Sequence, residues 1–255
     1  MRIATYNING IKARLPRLLE WLEETSPDVA CLQEIKSQDD LFPRLEIESL
    51  GYHVETHGQK SFNGVALLTK TRPEDVMRGL PGDEEDVQAR YIEATVEGVR
   101  IASLYLPNGN PTPGPKYEYK LAWMDRLHAH AASLLARETE FVLAGDYNIC
   151  PQSVDLYDPE GWRDDALFRP ESRTKFFDLI NLGLTDAIRV VRPSGEAYTF
   201  WDYQRGAWQR DHGLRIDHLL LSPEAADRLQ TAGIDRAHRG REKASDHTPT
   251  WIEIS

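Results

Sequence analysis

Cysteine is scarce, with only Cys31 and Cys150 among 255 residues. That excludes the disulfide framework of a small secreted scaffold. Each cysteine sits beside an apolar, strand-like run, so both are expected as buried thiols. Long apolar runs are missing too. The most continuous are VALL at 65–68 and LLL at 219–221, far short of the roughly 20 residues a membrane-spanning helix requires. The opening MRIATYNING lacks the apolar core of a secretory signal and reads as a strand from its second residue, so a cytoplasmic protein is expected. No Gly/Ser linker or shift in composition divides the chain. Residues 1–255 read as one domain, and a monomer is expected. Basic residues are outnumbered, 30 against 41 acidic, giving a net charge of −11. A basic footprint for a polyanion is therefore absent overall. Local charge differs, because Arg236, Arg239, Arg241 and Lys243 crowd into RAHRGREK with Glu242 as the only acid. Arg205, Arg210 and Arg215 form a looser group. Both clusters read either as phosphate contacts or as solvated loops.

What is present is ordinary globular patterning, 40% apolar and 28% charged. Short strand-like runs alternate with helical periods along the whole length. Leu15, Leu18, Leu19 and Leu22 recur at helical spacing, with Pro16 suited to a first turn, and VACLQE at 29–34 follows as a buried strand. Leu121, Met124, His128, Ala131 and Leu135 outline a longer amphipathic helix before the strand FVLAG at 141–145. Phe176, Phe177 and Ile180 predict a helix closed by Gly183. Residues 91–106 form two alternating runs around Glu97 and Gly98, the pattern of a hairpin. Tyr6, Asn7 and Ile8 are echoed by Tyr147, Asn148 and Ile149, which fits two similar β-layers packed face to face with helices outside.

The conspicuous polar residues sit where apolar strands run out. Asn7 and Asn9 follow IATY, Glu34 follows VACLQ, and Tyr105 precedes LPNG. Asp146 and Asn148 follow FVLAG, Asp217 lies in LRIDHLLLS, and Asp246 and His247 precede TPTWIEI. Each alone has a bland explanation in turn chemistry or a structural hydrogen bond. Together, on the ends of rigid strands, they can converge on one cleft. Cutting a phosphodiester requires charge neutralisation, an activated in-line water and help for the departing oxygen. Glu34 with neighbouring oxygen ligands suits a hard cation such as Mg²⁺. Asp146 can accept a proton from water, and Asn148 can hold that water or a phosphoryl oxygen. His247 suits the scissile phosphate if Asp217 fixes its tautomer and favours the imidazolium.

Seven strings occur in order along the chain: TYNING at 5–10, LQEIK at 32–36, HGQK at 57–60, GVALLTK at 64–70, GDYN at 145–148, LRIDHLLLS at 214–222 and SDHTP at 245–249. In wording and order they closely resemble the exonuclease III family of AP endonucleases. The resemblance implies an α/β fold, a four-layer α/β-β/α sandwich of the DNase I-like type. It also implies dependence on Mg²⁺, with Mn²⁺ as a substitute, and hydrolysis of duplex DNA 5′ to abasic sites. Removal of 3′ nucleotides and 3′ blocking groups is the related outcome. By position it implies a metal site at Asn7 and Glu34, with Asp246 a further ligand and Asp146, Asn148 and His247 at the same centre. Tyr105 corresponds to the active-site tyrosine, Asp146 to the proton acceptor and Asn148 to the transition-state stabiliser. Asp217 and His247 correspond to the carboxylate–histidine pair. Asp146 is favoured over His247 for the water, since an ionised carboxylate is available as a base at neutral pH.

Around this centre, Phe200, Trp201 and Leu214 are expected to line a small apolar pocket for a sugar without its base, although core packing is the competing role for the aromatics. By position the resemblance also implies Arg90 and Asn108 near the DNA backbone, with Asn9 among the substrate-binding residues. Trp162, expected among the substrate-binding residues, lies with Asp165 in a loop that varies among members of that family, so the resemblance does not fix the balance between endonuclease and exonuclease activity. The same sandwich also serves DNase I-like nucleases, inositol polyphosphate phosphatases and sphingomyelinases, so fold alone does not choose the substrate. A specialised 3′ exonuclease or phosphodiesterase with weak abasic-site activity is the nearest alternative. A DNA-binding protein without catalysis is the alternative from a different class.

Overall fold

The computed structural model describes residues 1–255. Twelve strands build it. They are β1 (Arg2–Asn7), β2 (Val29–Gln33), β3 (His53–His57), β4 (Val65–Thr69), β5 (Glu74–Arg78) and β6 (Tyr91–Val96). Then come β7 (Val99–Tyr105), β8 (Phe141–Asp146), β9 (Thr185–Asp186), β10 (Asp217–Leu221), β11 (Leu229–Ile234) and β12 (Thr250–Ile254). They form two six-stranded sheets, ordered β11-β12-β1-β2-β4-β3 and β5-β6-β7-β8-β10-β9. Ile3, Cys31 and Leu67 from the first meet Ile101, Val142 and Leu219 from the second in a shared core. The helix Ile11–Thr25 covers the outer face of the first sheet through Leu18, Trp21 and Leu22. The helices Pro115–Leu135 and Pro170–Asn181 cover the second through Trp123, Leu127 and Phe176. The result is the four-layer α/β-β/α sandwich implied by the motifs. Burying each such aromatic or leucine is worth about 2 kcal/mol. No helix is long and apolar enough to cross a membrane.

Each sheet contains one parallel pair, β1 with β2 and β7 with β8, and each pair is joined across an outer helix. The strands carrying the echoed Tyr-Asn-Ile occupy matching places. β1 lies between antiparallel β12 and parallel β2, and β8 lies between antiparallel β10 and parallel β7. The C-terminal ends of β1, β2, β7 and β8 therefore open on the same edge of the sandwich, the edge where parallel strands present ligand-binding loops. Below that edge a polar pin joins the sheets. Thr5 Oγ1 donates to Gln33 Oε1 at 3.1 Å, Gln33 Nε2 to Ser103 Oγ at 3.0 Å, and Ser103 Oγ to the Leu32 carbonyl at 2.9 Å.

The hairpin turn falls at Glu97 and Gly98, both with positive φ (50° and 85°), as the primed turn of a two-residue hairpin requires. Gly183 closes the helix Pro170–Asn181 with φ 113°. Two local expectations are corrected. Pro16 lies in the second turn of its helix, because Gly10 and Ile11 are drawn in early by backbone bonds to the Glu34 and Ile35 carbonyls (2.8 and 3.0 Å). Pro16 and Lys12 both face solvent, so the carbonyl deprived of its helical partner is open to water. The long helix is rotated by about one residue from the expected stripe. Leu121, His128 and Leu135 are only half-buried, while Lys120, Trp123, Leu127 and Leu134 face the sheet. Both cysteines are buried and unpaired, as expected.

Candidate active site

Four strand ends deliver the polar centre. Asn7 ends β1, Glu34 follows β2, Tyr105 ends β7 and Asp146 ends β8. Asp217 opens β10 directly opposite Asp146, its register partner in the antiparallel pair. His247 arrives from the loop before β12. Glu34 and its neighbours around the centre, Asn9, Lys36 and Asn148, occupy left-handed backbone, with φ between 45° and 49°. For a non-glycine residue that costs about 1–2 kcal/mol, and such strain clusters at functional sites. The turn at Glu34 is held by Ile35 and Lys36 N–H groups donating to the Gly64 and Asn63 carbonyls (3.1 and 3.0 Å). Gly64 is required there, since a Cβ would stand 2.5 Å from Ile35 Cγ1.

Asn7 lies between the two carboxylates, its Nδ2 donating to Glu34 Oε1 and to Asp146 Oδ2 at 2.9 Å each. His247 Nδ1 bonds Asp217 Oδ2 at 2.8 Å, while Nε2 faces Asp146 Oδ2 at 3.8 Å. Burial alone would discourage a charged imidazole, but Asp217, Asp146 and Asp246 outweigh it and raise the His247 pKa to about 10. Burial pushes the Asp146 carboxyl the other way from an ordinary aspartate, up to about 7, despite His247. Burial also opposes ionisation of Glu34, yet Lys36 at 2.8 Å and the Asn7 amide hold its carboxyl below the usual range. Tyr105 is held well above its ordinary value by burial and by the Glu34 and Asp146 carboxylates, so its hydroxyl stays protonated. Lys120, fully buried, is lowered to about 7 by desolvation.

Donor atoms of Glu34, Asp146 and His247 lie within 4.8 Å of one another. Two carboxylates sharing a buried site suit a hard divalent cation, which would relieve their repulsion, and Asn7 could join only through Oδ1, which accepts the Asn9 N–H at 3.0 Å while its Nδ2 faces both carboxylates. Of the three, His247 offers only Nε2, because Nδ1 is committed to Asp217, and as an imidazolium that nitrogen donates a proton, so Glu34 and Asp146 are the pair that could hold the cation. Asp246 stands outside this group, its Oδ1 accepting from Asn9 Nδ2 at 3.0 Å and Ser245 Oγ at 3.3 Å. Asn9 also accepts from Lys36 Nζ at 2.6 Å, so its side chain braces the centre from within. Asn148 is 5% exposed and receives Asn108 Nδ2 on its Oδ1 at 3.1 Å. Arg90 lies 4.8 Å from the Tyr105 ring centroid and donates to the Tyr105 carbonyl at 3.2 Å.

Beside the centre a cavity of ≈ 440 Å³ is lined by Tyr157, Trp162, Phe200, Arg210, His212 and Leu214 among others. Phe200 also packs edge-on against His247 at 4.9 Å, which connects this cavity to the polar centre. Trp201 is corrected from a pocket residue to a core residue. It is 0% exposed, and its indole N–H donates to Asp211 at 2.8 Å. Its neighbour Phe200 points the opposite way, as alternating residues of an extended segment must. Tyr157 and His212, stacked at 4.3 Å, take a place in the lining that no sequence pattern singled out.

In the basic run at 236–243, open in the sequence between phosphate contacts and solvated loops, the arginines serve the fold. Arg236 pairs with Asp211 at 2.7 Å, and Arg239 is buried with its guanidinium donating to the Trp201 carbonyl at 2.8 Å. Arg241 bridges Glu20 and Glu24 at 2.9 and 2.8 Å. In the looser group, Arg215 is locked between Asp155 and Asp186 at 2.6 and 2.8 Å, whereas Arg205 and Arg210 line the cavity. Sequence reasoning also left Lys36 and Lys120 without roles. The available signal for Lys120 was a lysine in helical register with Trp123, Met124 and Leu127.

The family model described as Endonuclease/Exonuclease/phosphatase family matches residues 4–247. The chain is 37% identical over 269 residues to exodeoxyribonuclease III of Haemophilus influenzae, with 100% of each covered. Among solved structures it is similar to a 3′ phosphatase from Neisseria bound to a product DNA hairpin, with TM-score 0.98 and 40% identity over 100% of this chain and 99% of that one. It is also similar to an AP endonuclease from Archaeoglobus fulgidus, with TM-score 0.96 and 34% identity over 100% and 99%. With the fold, the order of the motifs and these likenesses in agreement, the chain belongs to the endonuclease/exonuclease/phosphatase family.

Proposed function

We propose that this protein is a Mg²⁺-dependent DNA-repair phosphodiesterase. It hydrolyses the backbone 5′ to abasic sites and removes 3′ nucleotides or 3′ blocking groups from duplex DNA, acting as a monomer. The observation that carries the reading is the line Asp217–His247–Asp146 running into Glu34, an acid–base and metal-binding set drawn from both sheets. The relatives named as exodeoxyribonuclease III, 3′ phosphatase and AP endonuclease support the substrate class.

Each residue then has a task its surroundings favour. His247, kept as imidazolium by Asp217, donates from Nε2 to a phosphoryl oxygen. Asp146 accepts the proton of the attacking water, and its raised pKa brings it close to the working pH of a general base. Asn148 offers an amide N–H to the same phosphate, since only one of its two is used within the chain, on the Leu106 carbonyl. Tyr105 remains a hydrogen-bond donor. Glu34 and Asp146, with Asn7 between them, would hold the cation. When bound, Mg²⁺ or Mn²⁺ neutralises charge on the phosphoryl and departing 3′ oxygens. Water forms the new P–O bond, its proton passing to Asp146, as the P–O3′ bond breaks, and the departing 3′ oxygen takes a proton from solvent, leaving a 3′ hydroxyl and a 5′ phosphate. Phe200, Leu214 and Trp162 receive the sugar without its base, while Arg90 and Asn108 lie toward the backbone.

The test is incubation with a labelled duplex carrying one tetrahydrofuran abasic analogue, in Mg²⁺ or EDTA, beside an undamaged duplex. Metal-dependent incision 5′ to the lesion, lost in Asp146→Asn, is the expected result. Shortening of 3′ ends alone would make it a specialised 3′ exonuclease or phosphodiesterase, and no cleavage would remove the DNA reading.

A further inference from the structure

Outside the reacting groups, a chain of amide hydrogen bonds leads from the loop at 157–168 to Asn148. Asp165 receives Asn110 Nδ2 on both carboxylate oxygens, at 3.1 and 3.2 Å. Asn110 Oδ1 accepts the Ala166 N–H at 3.2 Å. Asn110 in turn donates from its backbone N–H and from Nδ2 to Asn108 Oδ1, at 3.2 and 3.0 Å. Asn108 Nδ2 then donates to Asn148 Oδ1 at 3.1 Å. Under this chain the buried Lys120 ammonium donates to the Asn108 and Asn148 carbonyls, at 3.1 and 2.6 Å. Gly109 allows the close approach, because a Cβ there would lie 2.7 Å from Lys120 Cδ and φ is +90°.

An asparagine side chain has two ends of equal size and opposite hydrogen-bonding sense, so neighbours must fix its orientation. Asp165, an acceptor only when ionised, and the Ala166 N–H, a donor only, admit one orientation of Asn110. That orientation propagates to Asn108 and then to Asn148. The Leu106 carbonyl holds the Nδ2 end of Asn148 at 3.0 Å, but a single bond leaves the amide free to swing about it. We infer that Asp165 and Asn110 are positioning residues which, through Asn108, hold the Oδ1 end of Asn148 and so aim its free N–H at the phosphate. Neither needs to touch substrate. The inference rests on the proposed role of Asn148 and adds how that role is set from a loop linked to it through two intervening asparagines.

The test is a double-mutant cycle of Asp165→Ala and Asn148→Ala, read as single-turnover cleavage of the tetrahydrofuran duplex at saturating Mg²⁺, with KM and melting temperature measured alongside. Asn110→Ala is the second variant, because it removes every side-chain link from Asp165 and Ala166 to Asn108, leaving Asn108 Oδ1 only the backbone N–H of residue 110 (3.2 Å) and Asp165 its bond from the Leu167 N–H (2.9 Å). Asn148→Ala is expected to slow cleavage about 100-fold, the scale of one transition-state donor. Asp165→Ala and Asn110→Ala are each expected to slow it about tenfold through misplacement, with KM within about twofold and no further loss in the Asn148→Ala background. An equal loss in both backgrounds, an effect confined to KM, or an unchanged rate in both relay variants would overturn the inference. An unchanged rate in Asn148→Ala alone would instead overturn the reading on which it rests.

Discussion

Replacing Asp217 with asparagine separates the charge of the His247 partner from its shape. The side chain is fully buried, and its carboxylate meets His247 Nδ1 at 2.8 Å. The interval between an ordinary histidine at 6.5 and about 10 corresponds to about 5 kcal/mol of preference for the imidazolium. Asp146 and Asp246 share that preference with Asp217, and breaking a buried pair by losing one partner typically costs about 3–5 kcal/mol. Asp217→Asn should therefore destabilise the metal-free protein by about 3 kcal/mol below pH 6.5, or about 6–12 °C in melting temperature for a chain of this size. The sign with pH follows from the raised histidine. Its stabilisation is fully present below the unfolded pKa and is lost as pH rises through about 10. The gap between wild type and variant should narrow steadily from pH 6.5 to 10. Melting curves in EDTA across that range provide the assay. A gap of constant size over the whole range would refute the argument that the pair is held by charge.

Three further outcomes are expected. Asp146 must be ionised to accept a proton, so cleavage should fall as pH drops below about 7, and that acid limb should move to lower pH as Mg²⁺ rises, because the cation competes with the proton; pH–rate profiles at several Mg²⁺ concentrations check it, and a limb indifferent to Mg²⁺ would count against it. Phe200→Ala should weaken incision of the abasic duplex by about 1–3 kcal/mol, whereas Trp201→Phe should lower stability by about 0.5–1.5 kcal/mol through the lost bond to Asp211 and spare kcat/KM; steady-state kinetics with thermal melts distinguish the two residues. Cys31 and Cys150 should resist a thiol-labelling reagent until denaturant is added, since burial holds both thiols inert; rapid labelling in native buffer would contradict their placement.

The residues alone determined the elements whose cause is local. The hairpin at Glu97–Gly98 and the stop at Gly183 follow from which residues tolerate positive φ. Short apolar strands alternating with one-sided helices determined sheets covered by helices, and the four layers were what the resemblance to the exonuclease III family implied. The motifs named Glu34, Asp146, Asp217 and His247 because acid, amide and imidazole at strand ends have few purely structural reasons to recur together. The sequence could not decide contacts set by partners brought together only by the fold. The arginines of 236–243 look available for phosphate until Glu20, Glu24 and Asp211 are brought beside them. Phe200 and Trp201 are adjacent in the chain and equally aromatic, and only the direction of the extended backbone sends one to the cavity and the other to the core. Lys120 is an ordinary helical lysine until the sheet covers it and two carbonyls receive its ammonium. Chemical identity is written residue by residue, but ionisation, hydrogen-bond partners and access depend on burial and distance, and those exist only once the two sheets have closed on each other.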